Sequence, residues 1–372
     1  MTRLAGLDAL RGLMLVLMTL THIPTSIGSV FGQPFGYVSA AEGFVLLSGF
    51  MAGLVFSQRL ERHGAPAMRS ALQRRAIQIY LCHIALLMFV FSVVAAMGVL
   101  LDQPAVINML GFFFEQPLQA LLSSTLLLYR PPLLDILPMY TAFLIATPLL
   151  LGYGARGSWP LILALSGTLW LGAQYDVGAR AYEALTGLLG LSVPLNATGS
   201  FVLPAWQLLW VVGLWLGARH RDADNPLQRL PEGIVKTALV FALLAFVWRH
   251  AVGQTPFPDW PTLNLLFDKW QLGPLRLLNV VALTIVLARL GPALMAHAPP
   301  MRPLETLGSA SLPVFCAHLV IALIAIALIG ETRQPALWLE LIVIATSLWL
   351  LHRVAQLSVA RRPAPARKGQ LA

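Results

Sequence analysis

The sequence predicts an all-α fold, a polytopic bundle of about ten membrane-spanning helices with both termini cytoplasmic, and three observations predict it. First, 58% of the 372 residues are hydrophobic and only 11% are charged, with a mean hydropathy of +0.75. A soluble domain carries about 25% charged residues, so this chain lacks the polar coat that water demands and a soluble enzyme is excluded. Second, apolar runs recur along the chain at lengths near the roughly 20 residues that cross a bilayer. Third, the basic residues are distributed unevenly between alternate connecting segments, as cytoplasmic loops require.

The first run, 13–27, carries His22 and follows Arg11 directly. It lacks the n-region and small-residue cleavage site of a signal peptide and reads as a retained span. Further runs at 38–57, 76–101, 133–153, 158–174, 201–218, 234–250, 273–290, 304–329 and 336–352 are each bounded by charged residues, Pro or Gly. Residues 110–128 are interrupted by Glu115, Gln116, Pro117 and Gln119, which predicts an interfacial or re-entrant piece in place of another span. One integral membrane domain, 1–356, is therefore expected, followed by a basic, disordered cytoplasmic tail at 357–372.

With the N-terminus inside, the cytoplasmic segments hold 18 Lys and Arg and the outer segments hold six: Arg130, Arg180, Arg249, Lys269, Arg276 and Arg333. The net charge of +9 thus needs no partner beyond anionic lipid headgroups, and no nucleic acid is expected. Cys82 and Cys316 lie in apolar runs and read as small buried hydrophobes, so no disulfide framework is expected. Zinc-ligand spacing, a phosphate-cradling glycine loop and a nucleophile elbow are all missing from the sequence, and no metal or tightly bound cofactor is expected.

Chemistry is then sought among the ionisable groups at membrane depth, where charge is costly and tends to face a bundle interior. Arg11 and His22 are eleven residues apart, which is three helical turns plus about 20°, so both lie on one face with about 16 Å between them. An imidazole titrates near neutrality and suits proton transfer; equally, Arg11 can snorkel and His22 can end a helix before Pro24. Glu42 lies near the outer end of the second span, as a catalytic group or as the partner of a neighbouring helix. Arg74, Arg75 and Gln78 enter the third span from the cytoplasm, where they either bind a phosphate-bearing ligand or anchor the topology. His318, alone on an apolar helix, reads as a hydrogen-bonded core residue. Outside, Asp135, Tyr140, Trp206, Gln207, Asp268, Lys269 and Arg276 form a set that suits a carbohydrate ligand. A transporter or flippase of a polar solute remains open at this point, as does a structural membrane subunit.

The motifs LDALRGLMLVLMTLTHIP and FGYVSAAEGFVLLSGF, then IYLCH, DILPMY, LPAWQLLW, FDKWQLGPLRLLNVVAL and LGSASLPVFCAH, resemble in order the OpgC family, which is related to the acyltransferase family 3 membrane enzymes. The resemblance implies an inner-membrane O-acyltransferase that moves an acyl group, succinyl in OpgC proteins, from cytoplasmic acyl-CoA to a periplasmic glucan. It implies a catalytic role for His22 and an acyl-CoA role for Arg11, Arg74, Arg75 and Gln78. The sequence departs from the wider superfamily at Gln78, where a second Arg is usual after Arg75, and from OpgC-like sequences at Thr21, where Asp often precedes the His. Glu42 is the expected substitute for that missing carboxylate.

Overall fold

A computed structural model describes residues 5–189, 193–221, 225–297, 299–330 and 336–361. Arg3, Arg333, Arg362, Arg367 and Lys368, with the rest of the expected tail at 362–372, lie outside the described residues. Among those described the chain is helical, with no strand beyond one isolated bridge between Phe35 and Val38. The helices used below are α1 (Ala5–His22), α2 (Ala40–Phe89), α3 (Pro117–Thr125), α4 (Ile136–Tyr153), α5 (Trp159–Ala173), α6 (Leu203–Ala218), α7 (Glu232–Val252), α8 (Pro274–His297), α9 (Arg302–Ser309), α10 (Ser311–Ile329) and α11 (Leu337–Ala360).

Six described stretches are long and apolar enough to cross a membrane: Ala40–Leu100, Ile136–Ala173, Glu232–Val252, Pro274–His297, Ser311–Ile329 and Leu337–Ala360; Leu203–Ala218 is a shorter apolar helix. Two of the six each contain two rods. Gly64 sits at φ 78°, ψ 172°, a conformation open to glycine and closed to a helix. Phe44 and Ile79, one from each side of it, line the same small cavity. A straight helix would separate them by about 52 Å, so the chain must reverse at Gly64. The second stretch breaks at Gly157, φ 88°. Thr147 before the break bonds Trp210, and Ser166 after it bonds Gln207, one turn away on α6. That too requires a hairpin. The expected spans at 38–57, 76–101, 133–153 and 158–174 correspond to these four rods.

One difference from the sequence reading concerns a break. Residues 304–329 do not form one helix: Ala310, at φ −104°, ψ 35°, separates the amphipathic α9 from the apolar α10. Residues 104–125 fold as three short helices begun by Pro104, Gly111 and Pro117. At the other end of the chain, α11 continues to Ala360, past the expected boundary at 356.

Small residues let the helices meet at backbone distance. Gly49 and Gly53 of α2 rest on the carbonyls of Trp210 and Leu214, while Gly213 and Gly217 of α6 rest on those of Leu46 and Phe50. A methyl at any of the four would collide with main chain, so this reciprocal pair of small-xxx-small faces sets the closest approach in the core. Gly12 of α1 and Gly308 of α9 pack in the same way against Leu304 and Asp8. Leucines and valines on the far sides, such as Val240, Leu243, Leu244 and Val247 of α7, are exposed. A helix with an apolar outer face of this kind fits a lipid surround.

Candidate active site

The site is built from α1 and α10, which touch twice. Near the start of α1, Arg11 Nη2 donates to the hydroxyl of Ser311. At its last residue, His22 Nδ1 lies 3.2 Å from His318 Nε2, and the two rings meet edge to edge, their planes 23° apart and their centroids 5.4 Å apart. Seven residues separate Ser311 from His318, two turns less about 20°, so they share a face of α10 as Arg11 and His22 share a face of α1. His318 is fully buried, whereas His22 is partly exposed. Pro24 stops α1 beyond His22, and the segment after it is fixed by Glu340 of α11, whose carboxylate accepts from the backbone N–H (3.1 Å) and hydroxyl (2.6 Å) of Ser26.

At the arginine contact the open space is small. A cavity of about 20 Å³ is lined by Arg11, Arg75, Tyr140, Ser311, Phe44 and Phe315, room for about one water. Phe315 also packs edge-on against His318 and stacks on Phe44 at 5.7 Å. This aromatic pair therefore separates the arginine end from the histidine end. Two guanidinium groups face the cavity, and the buried Nε of Arg11 has no hydrogen-bond partner. Asp8, one turn earlier on α1, is within electrostatic reach of Arg11, and the unpaired Nε is the donor left for an incoming acceptor.

At the histidine end lies a second cluster. Lys269 is within electrostatic reach of His22, Glu42 and Asp135, and its ammonium sits 4.7 Å over the ring of Trp270. Burial pushes this lysine below its ordinary value, opposed by Glu42 and Asp135 and reinforced by Arg276. Burial raises Asp135 from the usual carboxylate range, against the N–H of Ser200 and the charges of Arg130 and Lys269. Gly199, at φ 90°, presses on the Cβ atoms of both Asp135 and Arg130, a place and a conformation that suit glycine alone.

The family profile described as OpgC protein matches residues 3–362. The chain belongs to the OpgC family. That membership points to a glucan-modifying acyltransferase held in a membrane. No curated protein and no solved structure matches the chain.

Within this OpgC protein the expected site residues divide. The structure brings Arg11, Arg75 and Tyr140 to one cavity, and it brings His22, Lys269 and Asp135 into one electrostatic neighbourhood. Glu42 is not the carboxylate partner of His22. It closes the N-terminal turn of α2 with Ser39 and forms a 2.7 Å ion pair with Arg276, and both members are buried. Arg276 also donates to the carbonyl of Phe267, so that cation is engaged by protein groups. Arg74 is exposed, and exposed Gln78 accepts from Arg75 at 2.9 Å. Trp206 is buried with its indole N–H on the carbonyl of Trp270, Gln207 ties α6 to Ser166 of α5, and Asp268 accepts from the N–H of Gln271 in a turn. Those three hold loops and helices together.

His318 and Ser311 are the site residues that the sequence reading misses. Their equal-face spacing on SLPVFCAH was the available signal. An isolated histidine in an apolar run gave no reason to pair it with another 296 positions away.

Proposed function

We propose that this OpgC protein transfers an acyl group, succinyl, from cytoplasmic acyl-CoA to a hydroxyl of a periplasmic glucan. The observation that carries this reading is the arrangement along α1: Arg11 sharing a small cavity with Arg75, a partly exposed imidazole eleven residues further on, and the Phe44 and Phe315 rings beside that cavity. On this reading the ten rods are ten spans of an inner-membrane protein with both termini cytoplasmic. They are α1, two in the first broken stretch, two in the second, then α6, α7, α8, α10 and α11. The relation to the acyltransferase family 3 enzymes belongs to the same proposal, supported by the basic residue and histidine at eleven-residue spacing.

Arg11 and Arg75 would meet the CoA phosphates, and the roughly 16 Å to His22 matches an extended pantetheine arm. The cavity must open for that arm to pass, with Phe44 and Phe315 as the groups that move. The acceptor hydroxyl gives its proton to His22 as its oxygen attacks the thioester carbonyl. The ester C–O bond forms, the C–S bond breaks, and the CoA sulfur leaves as thiolate to be protonated by the imidazolium. Lys269 is the cation placed to meet the free carboxylate of a dicarboxylic acyl group, because Arg276 is occupied by Glu42.

The test is incubation of purified protein with labelled succinyl-CoA or acetyl-CoA and a glucan acceptor. Ester-linked label on the glucan, lost in His22→Gln, is the expected result. Uptake of solute by vesicles without any transfer of label would replace the enzyme with a carrier.

A further inference from the structure

The His22–His318 contact has a direction. His318 Nδ1 lies 2.6 Å from the carbonyl oxygen of Phe315. A carbonyl accepts and never donates, so Nδ1 of His318 carries the hydrogen, and in a neutral ring the other nitrogen is then an acceptor. His22 Nδ1, 3.2 Å from that Nε2, must be the donor in turn. The sequence of bonds therefore runs from Nδ1 of His22 to Nε2 of His318, and from Nδ1 of His318 to the main chain of α10. It leaves the Nε2 lone pair of His22 free.

We propose that His318 is a positioning residue that holds His22 in the tautomer whose Nε2 accepts a proton, and that it orients the ring toward the acceptor hydroxyl. A general base is commonly aimed by a third group, usually a carboxylate. Here Glu42 is committed to Arg276, and the main chain of α10, relayed through His318, takes the place of that carboxylate. Burial of His318 and its edge contact with Phe315 fix the relay ring, and the 23° angle between the imidazole planes keeps the N···N contact close to the plane of both rings, where the N–H and the lone pair lie. After proton transfer the same bond persists, because both nitrogens of the imidazolium are donors and Nε2 of His318 still accepts.

This inference rests on His22 being the base, and two measurements separate the claims. In the acyl-transfer assay, His318→Leu and His318→Asn remove the acceptor facing His22, and kcat is expected to fall by about 10²- to 10⁴-fold, as for a base in the wrong tautomer. The KM for acyl-CoA should stay within about twofold, since the interaction lost acts on chemistry and not on donor binding. His318→Gln, whose amide oxygen reaches the Nε2 position, should recover most of that kcat. Full activity of the Leu variant, or equal losses in Asn and Gln, would reduce His318 to packing. Independently of activity, ¹⁵N spectra of histidine-labelled protein, with the His22 signals assigned by their loss in His22→Gln, should show a protonated Nδ1 and a bare Nε2. A protonated Nε2 on His22 overturns the relay even if His22 proves essential, whereas an active His22→Gln protein overturns the base assignment and leaves the spectrum to decide the tautomer.

Discussion

Arg11 and Arg276 are both guanidinium groups held inside the bundle, and the protein treats them differently. Arg276 is 2% exposed, paired to Glu42 at 2.7 Å and bonded to the carbonyl of Phe267. Arg11 has a neutral hydroxyl as its bonded partner, a buried Nε without one, and a second cation, Arg75, on the same cavity. The first arrangement is electrically complete and ties α2 to α8. The second has Asp8 within electrostatic reach but no ion pair of that kind, and it leaves a buried Nε without an acceptor. A buried charge therefore marks function by what it lacks, more than by being there.

Removing His22 tests the open end most severely. His22→Gln should lower acyl transfer by at least about 10²- to 10⁴-fold, the usual contribution of a positioned acid or base, with membrane insertion and folding intact. An active variant would return the whole α1 face to structure. The closed end should answer in stability instead. Glu42→Ala strands a buried Arg276 and should cost about 3–5 kcal/mol, read from thermal or denaturant unfolding in detergent. Should it unfold at the wild-type midpoint but lose transfer, the division between the two arginines would be wrong.

Arg75→Ala should raise the apparent KM for acyl-CoA by roughly 10- to 100-fold, the worth of one charged hydrogen bond, while kcat changes little. Unchanged donor dependence would make Arg75 a topology anchor. Lys269→Gln is expected to be mildest, a loss of about tenfold in preference for succinyl-CoA over acetyl-CoA. An unaltered ratio of kcat/KM for the two donors would remove Lys269 from the acyl site.

The rods were largely legible because each is long, apolar and punctuated by Gly, Pro or charge, and the hairpins at Gly64 and Gly157 fall between expected spans. Arg11 and His22 were legible because both lie on one helix, where spacing translates directly into direction. Their partners were not, since Ser311 and His318 lie some 300 positions away and local periodicity carries no pairing information. Glu42 illustrates the same limit from the other side. Its depth and charge were readable, but whether it faced His22 or Arg276 depended on α8, and the fold chose Arg276.

The contact between Ser26 and Glu340 couples the two ends of the chain. A nascent polypeptide that has not yet inserted α11 holds every group of the proposed chemistry but lacks this contact on the segment leaving His22. The surroundings of His22 are thus completed only when the last helix is in place.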